Sequence, residues 1–504
     1  MTTRFSLLMR LFYPLILAPM LAACSGDNNN NNKGTEPEYL PIANPVLSLP
    51  PDVGGINLLA ENFDLQEVGY QQSEYFLEGT ASAYTNLNEL TADGLWEVEV
   101  ASEAEYKTRI VVNRPIDAAD FSGDVLIEWL NVTAGFETPP SWGTGQLEMR
   151  RGGAVWVGVS AQIVGIEGSP SGGLPLPLYL KAVDPERYGT LLHPGDSFSY
   201  DIFSQVAQAI RKPEGIDPLD GLTPQKLIAY GESQSAGRLV TYVNALHPLY
   251  NAFDGYMVHS RGDGSSALAQ APQTAIPTPG AARIRTDLNV PVMTFETETD
   301  VLLLGYAAAR QPDTDLIRTW EVPGTAHGDY YTFVSGRNDT VGDAVFASVV
   351  EERSVLGFIN CDKPMNNGPQ HYVFNTAVRA LNAWVAGGNP PPASPRLELN
   401  DDESDYLYDN LGNVMGGIRT PYVDAPSAVL RGEANLGNSF CFLFGTTALF
   451  SADQMASLYV DEAGFVAAVT EAADSAVEAG FLLREDADAI IAWAPQQWRS
   501  QAGG

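Results

Sequence analysis

The stretch Lys226–Gly237, KLIAYGESQSAG, constrains the fold more than any other part of the chain. Its strand-like residues Leu227–Tyr230 run into Gly231-Glu232-Ser233-Gln234-Ser235, and a helix-compatible segment, Ala236 to Leu246, follows at once. A strand, a sharp turn with a serine at its tip and a helix form the layout of a nucleophile elbow. Such a turn lifts a serine Oγ above the carboxyl end of a sheet, with the next backbone N–H facing the same space. The fifth position is Ser235 where glycine is usual, and serine is small enough for the close strand–helix approach. The bland reading of Ser233 is a helix N-cap.

An elbow needs a parallel sheet to carry it. Glu67–Ala83 and Leu95–Val112 alternate apolar and polar residues, as antiparallel strands with one solvated face do. Asp124–Leu130 (DVLIEWL) and Ala154–Ser160 (AVWVGVS) are instead continuous apolar runs a helix length apart, the sign of a βαβ unit in a sheet buried on both faces. Phe253–His259, Val290–Phe295 and Ile317–Val322 continue the series after the elbow. Tyr200–Lys212 and Tyr372–Val385 read as helices, and Asp409–Gly412 as a hairpin turn. Asp453–Ala494 reads as two or three acidic amphipathic helices with Phe465, Val469 and Val477 on one face. The glycine- and proline-rich Ala161–Gly195 is long enough to be a functional excursion over the strand ends.

A serine at neutral pH is a poor nucleophile, and it needs a base, an acid to orient that base, and donors for an oxyanion. In elbow-bearing sites the chain order is serine, carboxylate, histidine. With only five histidines, the base follows by elimination. His327, in Gly324-Thr325-Ala326-His327, lies just past the strand ending at Val322, where a base must hang. His193 and His247 adjoin prolines and suit structural roles, and His371 begins a helix. His259 ends the strand after the elbow helix, placed to line a pocket but ahead of the carboxylates that follow the next strand. Asp300, five residues past Phe295, is the first candidate acid, followed by Glu298, then Glu296; Asp263, after the preceding strand, is the other position. For the oxyanion, one donor is the N–H of Gln234. The second belongs to the loop Asn131-Val132-Thr133, with Asn131 and Val132 the candidates. Aromatic residues in Gly135–Trp142 and the apolar 174–180 loop point to an apolar acyl or aromatic pocket.

The net charge of −34, from 28 basic and 62 acidic residues, argues against nucleic acid as a partner. No phosphate loop, metal-ligand spacing or dinucleotide fingerprint is present, so no cofactor and no metal are expected. No feature bears on oligomeric state. At the N-terminus, Arg4 and Arg10 precede an apolar stretch, Leu11–Ala23, too short to span a bilayer. Leu21-Ala22-Ala23-Cys24 resembles the lipobox of bacterial lipoproteins. That implies a signal peptide at 1–23, a lipid-modified Cys24, a flexible tether at 24–44 that includes Asn28–Asn32, and one domain over 45–504 with a C-terminal extension from about 390. The membrane is then a partner through the lipid anchor only. The absence of Asp after Cys24 leans towards the outer membrane, facing the periplasm or the cell surface. Cys361 and Cys441 remain; in an oxidising compartment one disulfide is the economical reading, two buried thiols the alternative.

Together these segments resemble the α/β-hydrolases, and more narrowly a bacterial "alpha/beta hydrolase domain" family of extracytoplasmic proteins. The resemblance is carried by EWLNV (Glu128–Val132), WVGVSAQ (Trp156–Gln162), HPGDSFSYDIFSQ (His193–Gln205), YGESQSAGRL (Tyr230–Leu239), FETETD (Phe295–Asp300), GTAH (Gly324–His327) and GPQH (Gly368–His371). GGIRTPYVD (Gly416–Asp424) and CFLFGTT (Cys441–Thr447) extend it. It implies an α/β fold with a mostly parallel sheet flanked by helices, and a carboxylic-ester-hydrolase site with Ser233 as nucleophile and His327 as base. The expected partner is therefore a small-molecule or polymer ester. Two other readings stand beside it: a non-catalytic binding lipoprotein on the same fold, and a peptidase or amidase.

Overall fold

A computed structural model describes residues 39–169, 173–174, 176–355, 357 and 359–502. The expected signal peptide, Cys24 and the tether as far as residue 38 lie outside the described residues. The first described residues are packed on the domain: the Leu40 N–H donates to the Leu249 carbonyl at 2.8 Å, and Asn44 donates to the Lys212 carbonyl at 2.7 Å.

Among the described residues one nine-stranded sheet organises the chain, in the order β1-β2-β3-β5-β4-β6-β7-β8-β9. The strands are β1 Val46–Ser48, β2 Tyr70–Asn86, β3 Val98–Pro115, β4 Asp124–Trp129, β5 Val155–Val159, β6 Lys226–Glu232, β7 Gly255–His259, β8 Val292–Thr297 and β9 Ile317–Val322. The alternating segments make the antiparallel edge: β1 pairs β2, β2 pairs β3 from Tyr70↔Pro115 to Asn86↔Val98, and β3 pairs β5. The continuous apolar runs make the parallel part, from β5–β4 through β8–β9. Parallel strands need crossovers that cover both faces, which is why their sequences are apolar on both sides.

The period of two sends each strand's side chains alternately into two cores. Val125, Ile127 and Trp129 of β4 and Leu227 and Ala229 of β6 pack with the helix Ser199–Arg211 and the elbow helix. Leu126, Ile228, Tyr230, Met257, Met293 and Phe295 face the other way, against the helices Pro140–Arg151 and Gln370–Val385. Burying side chains of this size contributes about 1.5–3 kcal/mol each. Glu128 is a polar residue on that second face. It is fully buried and accepts from the backbone N–H groups of Ser141 (2.8 Å) and Trp142 (3.0 Å) and from the Trp156 indole (2.9 Å). It thereby caps the helix that begins at Pro140. Burial pushes its carboxyl up to about 7 against the pull of those donors.

The C-terminal third builds its own apolar cluster. Helices Ala452–Tyr459, Glu462–Glu478 and Arg484–Ala502 bring Met455, Phe465, Val469 and Ile490 against Tyr372 and Tyr422. The hairpin expected near Asp409 is present, with Tyr408 bridging Val414. Cys361 and Cys441 form a disulfide. At a sequence separation of 80, it removes about 4.5 kcal/mol of loop entropy from the unfolded chain in the loop-closure description. No helix among the described residues is long and apolar enough to cross a membrane.

Candidate active site

β6 ends at Glu232, and Ser233 takes φ 59° and ψ −118° before the helix Gln234–Thr241 begins. That backbone is unfavourable for a residue with a Cβ, and the surroundings hold it. The Ser233 N–H donates to the His259 carbonyl at 2.9 Å, and its carbonyl accepts from Gly237 at 3.1 Å. The tightness also explains Gly231, where a Cβ would stand 2.8 Å from the Ser235 carbonyl oxygen. Ser235, the departure from glycine in the motif, is fully buried within this turn.

From the other side, the loop after β9 brings His327 over the serine. Its Nε2 lies 2.8 Å from Ser233 Oγ, and its Nδ1 lies 2.6 Å from Asp300 Oδ1. An ionised carboxylate only accepts, so Nδ1 carries the hydrogen, and Nε2 of the neutral ring is left to accept from the serine hydroxyl. Asp300 is itself fixed: its Oδ2 accepts from the backbone N–H (2.7 Å) and hydroxyl (2.6 Å) of Thr297. Burial pulls the His327 imidazole down, but Asp300 and Glu232 outweigh it and hold it up at about 8.

The other candidate acids are placed elsewhere. Glu298 accepts from the Gly324 N–H (2.6 Å) and the Gly432 N–H (2.7 Å), so it anchors the loop that carries His327. Burial pushes it up to about 7. Glu296 is fully buried, neither oxygen finds a hydrogen-bond partner among the described residues, and burial raises it well above the usual carboxylate range. Asp263 is exposed, and its backbone carbonyl accepts from Arg261. Neither Glu296 nor Asp263 touches an imidazole.

Of the two loop residues expected near the oxyanion, Asn131 is committed. Its N–H donates to the Thr138 carbonyl at 2.9 Å, because the loop closes on itself as a small bridge. The Asn131 side chain instead donates to the Glu232 carbonyl (3.1 Å) and to Glu232 Oε2 (3.2 Å). The backbone N–H groups of Val132 and Gln234 make no hydrogen bond among the described residues. Glu232 is a further residue of the site that the sequence motif does not single out. The available signal was a carboxylate closing an otherwise apolar, buried strand.

The remaining histidines are built into the core. His193 bonds the Ala161 carbonyl (2.9 Å), and His247 pairs with Tyr256 (3.0 Å) and Asn289 (2.6 Å). His259, placed by its sequence position to line a pocket, instead stacks on Phe374 with ring centroids 4.2 Å apart. His371 stacks on Tyr331 at 3.6 Å. Burial pushes both of these down to about 3.

A cleft of about 990 Å³, counting the space at its open mouth, has Ser233, His327, Glu232 and Asn131 at its inner end. Most of the rest of its lining is apolar, including Phe136, Leu174, Phe333, Phe440, Leu443 and Phe444, with Arg337 the one charged residue beyond Glu232 and His327 among the described residues. Phe136 is held in place by its neighbour Glu137, which receives the buried Arg109 at 2.6 Å. Trp142, expected among the aromatic pocket residues, packs instead on Trp156 inside the core. No group of His, Cys, Asp and Glu among the described residues is arranged to hold a metal.

Residues 42–492 match the family model described as "Alpha/beta hydrolase domain". Among solved structures, the chain is similar to the fungal esterases of Rhizomucor miehei, with 12% identity over 61% of this chain and 85% of that one and a TM-score of 0.29. A glucuronoyl esterase from Solibacter usitatus has 11% identity over 57% and 82%, with a TM-score of 0.27. An α/β serine hydrolase without lid from Xanthomonas campestris has 13% identity over 49% and 86%, with a TM-score of 0.26. A search of curated proteins finds no match.

Proposed function

The chain belongs to the alpha/beta hydrolase domain family, and from that premise we propose that it is a serine esterase working through Ser233, His327 and Asp300. The observation that supports this most is the unbroken line from Ser233 Oγ to His327 Nε2 (2.8 Å) and from Nδ1 to Asp300 (2.6 Å), at the floor of an apolar cleft. Ser233 attacks the ester carbonyl as its proton passes to His327 Nε2. The oxyanion receives the N–H groups of Gln234 and Val132, each such donor being worth about 3 kcal/mol in the transition state. His327 returns the proton to the leaving alcohol, and Asp300 holds the ring and balances its charge throughout. Water then repeats the sequence on the acyl-enzyme.

The apolar walls favour an ester with an uncharged, apolar acyl or alcohol part. We place the enzyme outside the cytoplasm, tethered by a lipid on Cys24. The lipobox-like Leu21–Cys24 supports this, as does a disulfide of a kind that persists in oxidising compartments. Hydrolysis of p-nitrophenyl esters by protein lacking residues 1–24 tests the chemistry. Ser233→Ala is expected to lower kcat by roughly 10⁶; an unchanged rate would end the proposal. For the anchor, Cys24→Ala should move the protein from the membrane to the soluble fraction.

A further inference from the structure

Glu232 is a buried carboxylate with no structural reason to be charged where it stands, and we propose that it orients the hydrolytic water during deacylation, as the second partner of that water opposite His327. This rests on the serine-nucleophile reading above.

The placement follows from the strand. Ile228 and Tyr230 of β6 face the layer that holds helices Pro140–Arg151 and Gln370–Val385. Two residues further, Glu232 leaves on the same side at the strand's carboxyl end, where it lines the cleft with 8% of its side chain exposed. No Lys or Arg among the described residues pairs with it. Its Oε2 is held by Asn131 at 3.2 Å, which fixes the rotamer. Its Oε1 makes no hydrogen bond among the described residues and stands 3.5 Å from His327 Nε2, the nitrogen that faces Ser233. Burying a carboxyl this way is costly unless something uses it, and such groups collect at functional sites. The charged and titratable groups acting on it are His327, Asp300 and Glu128. Burial and the two carboxylates push Glu232 up to about 8, while His327 pulls it down.

In the free enzyme the Ser233 hydroxyl occupies the acceptor site on Nε2. Once Ser233 is acylated it has no proton to give, and a water takes that place. One O–H points at His327 Nε2 and the other at Glu232 Oε1, two acceptors close enough to share one water at ordinary hydrogen-bond lengths. The water's lone pair is then turned towards the acyl carbon. Its oxygen adds to that carbon as one proton passes to Nε2. The tetrahedral intermediate collapses, the bond from acyl carbon to Ser233 Oγ breaks, the Nε2 proton returns to Oγ, and the carboxylic acid leaves. Glu232 accepts a hydrogen bond and ends the cycle with the protons it began with. In acylation it makes no contact with the nucleophile, because the Ser233 hydroxyl is already aimed at His327.

The test is Glu232→Gln, mixed rapidly with p-nitrophenyl butyrate and, separately, with a fluorophosphonate probe. The expected result is a burst of nitrophenolate approaching one equivalent, then a steady rate roughly 100-fold below the parent protein. Fluorophosphonate labelling, which needs no water, should stay within a few-fold. Labelling and turnover falling together, or an unchanged steady rate without a burst, overturns the proposal. Should the Gln variant fail to fold, Asn131→Ala, which frees Oε2 and leaves the carboxyl in place, decides: a burst supports the role and its absence overturns it. If the parent protein itself takes no fluorophosphonate, the serine reading fails instead, and the two failures are thereby distinct.

Discussion

At its inner end the cleft is made of strand termini. Ser233, Asp300 and His327 follow β6, β8 and β9, and each is locked by backbone partners or by each other. At its outer end the walls come from loops far apart in the chain: Phe136 and Leu174 from one region, Phe333 from a second, and Phe440, Leu443 and Phe444 from a third that the Cys361–Cys441 disulfide ties down. The inner end is polar and dense in hydrogen bonds, whereas the outer end is apolar and held by packing. Under the proposed function the contrast separates chemistry from selection. Changes inside should act on kcat, and changes outside on KM.

Asp300→Asn probes that separation hardest. The amide keeps the shape and one acceptor for Thr297, but it no longer enforces the tautomer of His327 or balances its charge. A loss of about 10⁴ in kcat with little change in KM is expected; a loss confined to KM would erase the division between the two ends. By contrast, Glu298, two residues earlier, props the histidine loop through Gly324 and Gly432, and its loss should show in thermal stability as well as in rate.

A second effect concerns pH. In the proposed mechanism His327 must be neutral to accept the serine proton, and Asp300 and Glu232 hold its protonated form up to about 8. The kcat/KM of the free enzyme should therefore rise with pH through a limb centred near 8, falling away below it as the imidazole is protonated. Because Glu232 titrates in the same range, the apparent value belongs to the pair. A limb near the ordinary histidine value of about 6.5 would mean that the carboxylates do not act on the ring. The smallest effect belongs to the outer wall. Leu443→Ala should raise KM for long-chain esters by about tenfold, leave acetate esters nearly unaffected, and leave kcat in place. A fall in kcat for acetate would show that the walls also shape the chemistry.

The same contrast governs what was legible in the sequence. The elbow, the strand series and His327 could be read because each is a local pattern, and the chain order of the site residues is set by the sheet. The choice among Asp300, Glu298 and Glu296 was open, since all three lie at or just past one strand. What separates them is remote: Glu298 is taken by Gly432, which no spacing near β8 reveals. Asn131 was misjudged as a backbone donor because its bridge to Thr138 depends on how the loop closes. Trp142 was misjudged because a helix starts at Pro140 and turns the indole inward. The outer wall was the least legible part, being assembled from segments hundreds of residues apart whose apolar side chains look locally like any core.

The reading of Ser233 as a nucleophile can be tested without knowing the substrate. Folded protein lacking residues 1–24 is treated with a fluorophosphonate, digested and mapped by mass spectrometry. One adduct, on the peptide containing Ser233, is expected, and it should disappear in Ser233→Ala and in His327→Ala. Folded protein that takes no adduct, or one that carries it on another residue, would contradict the assignment.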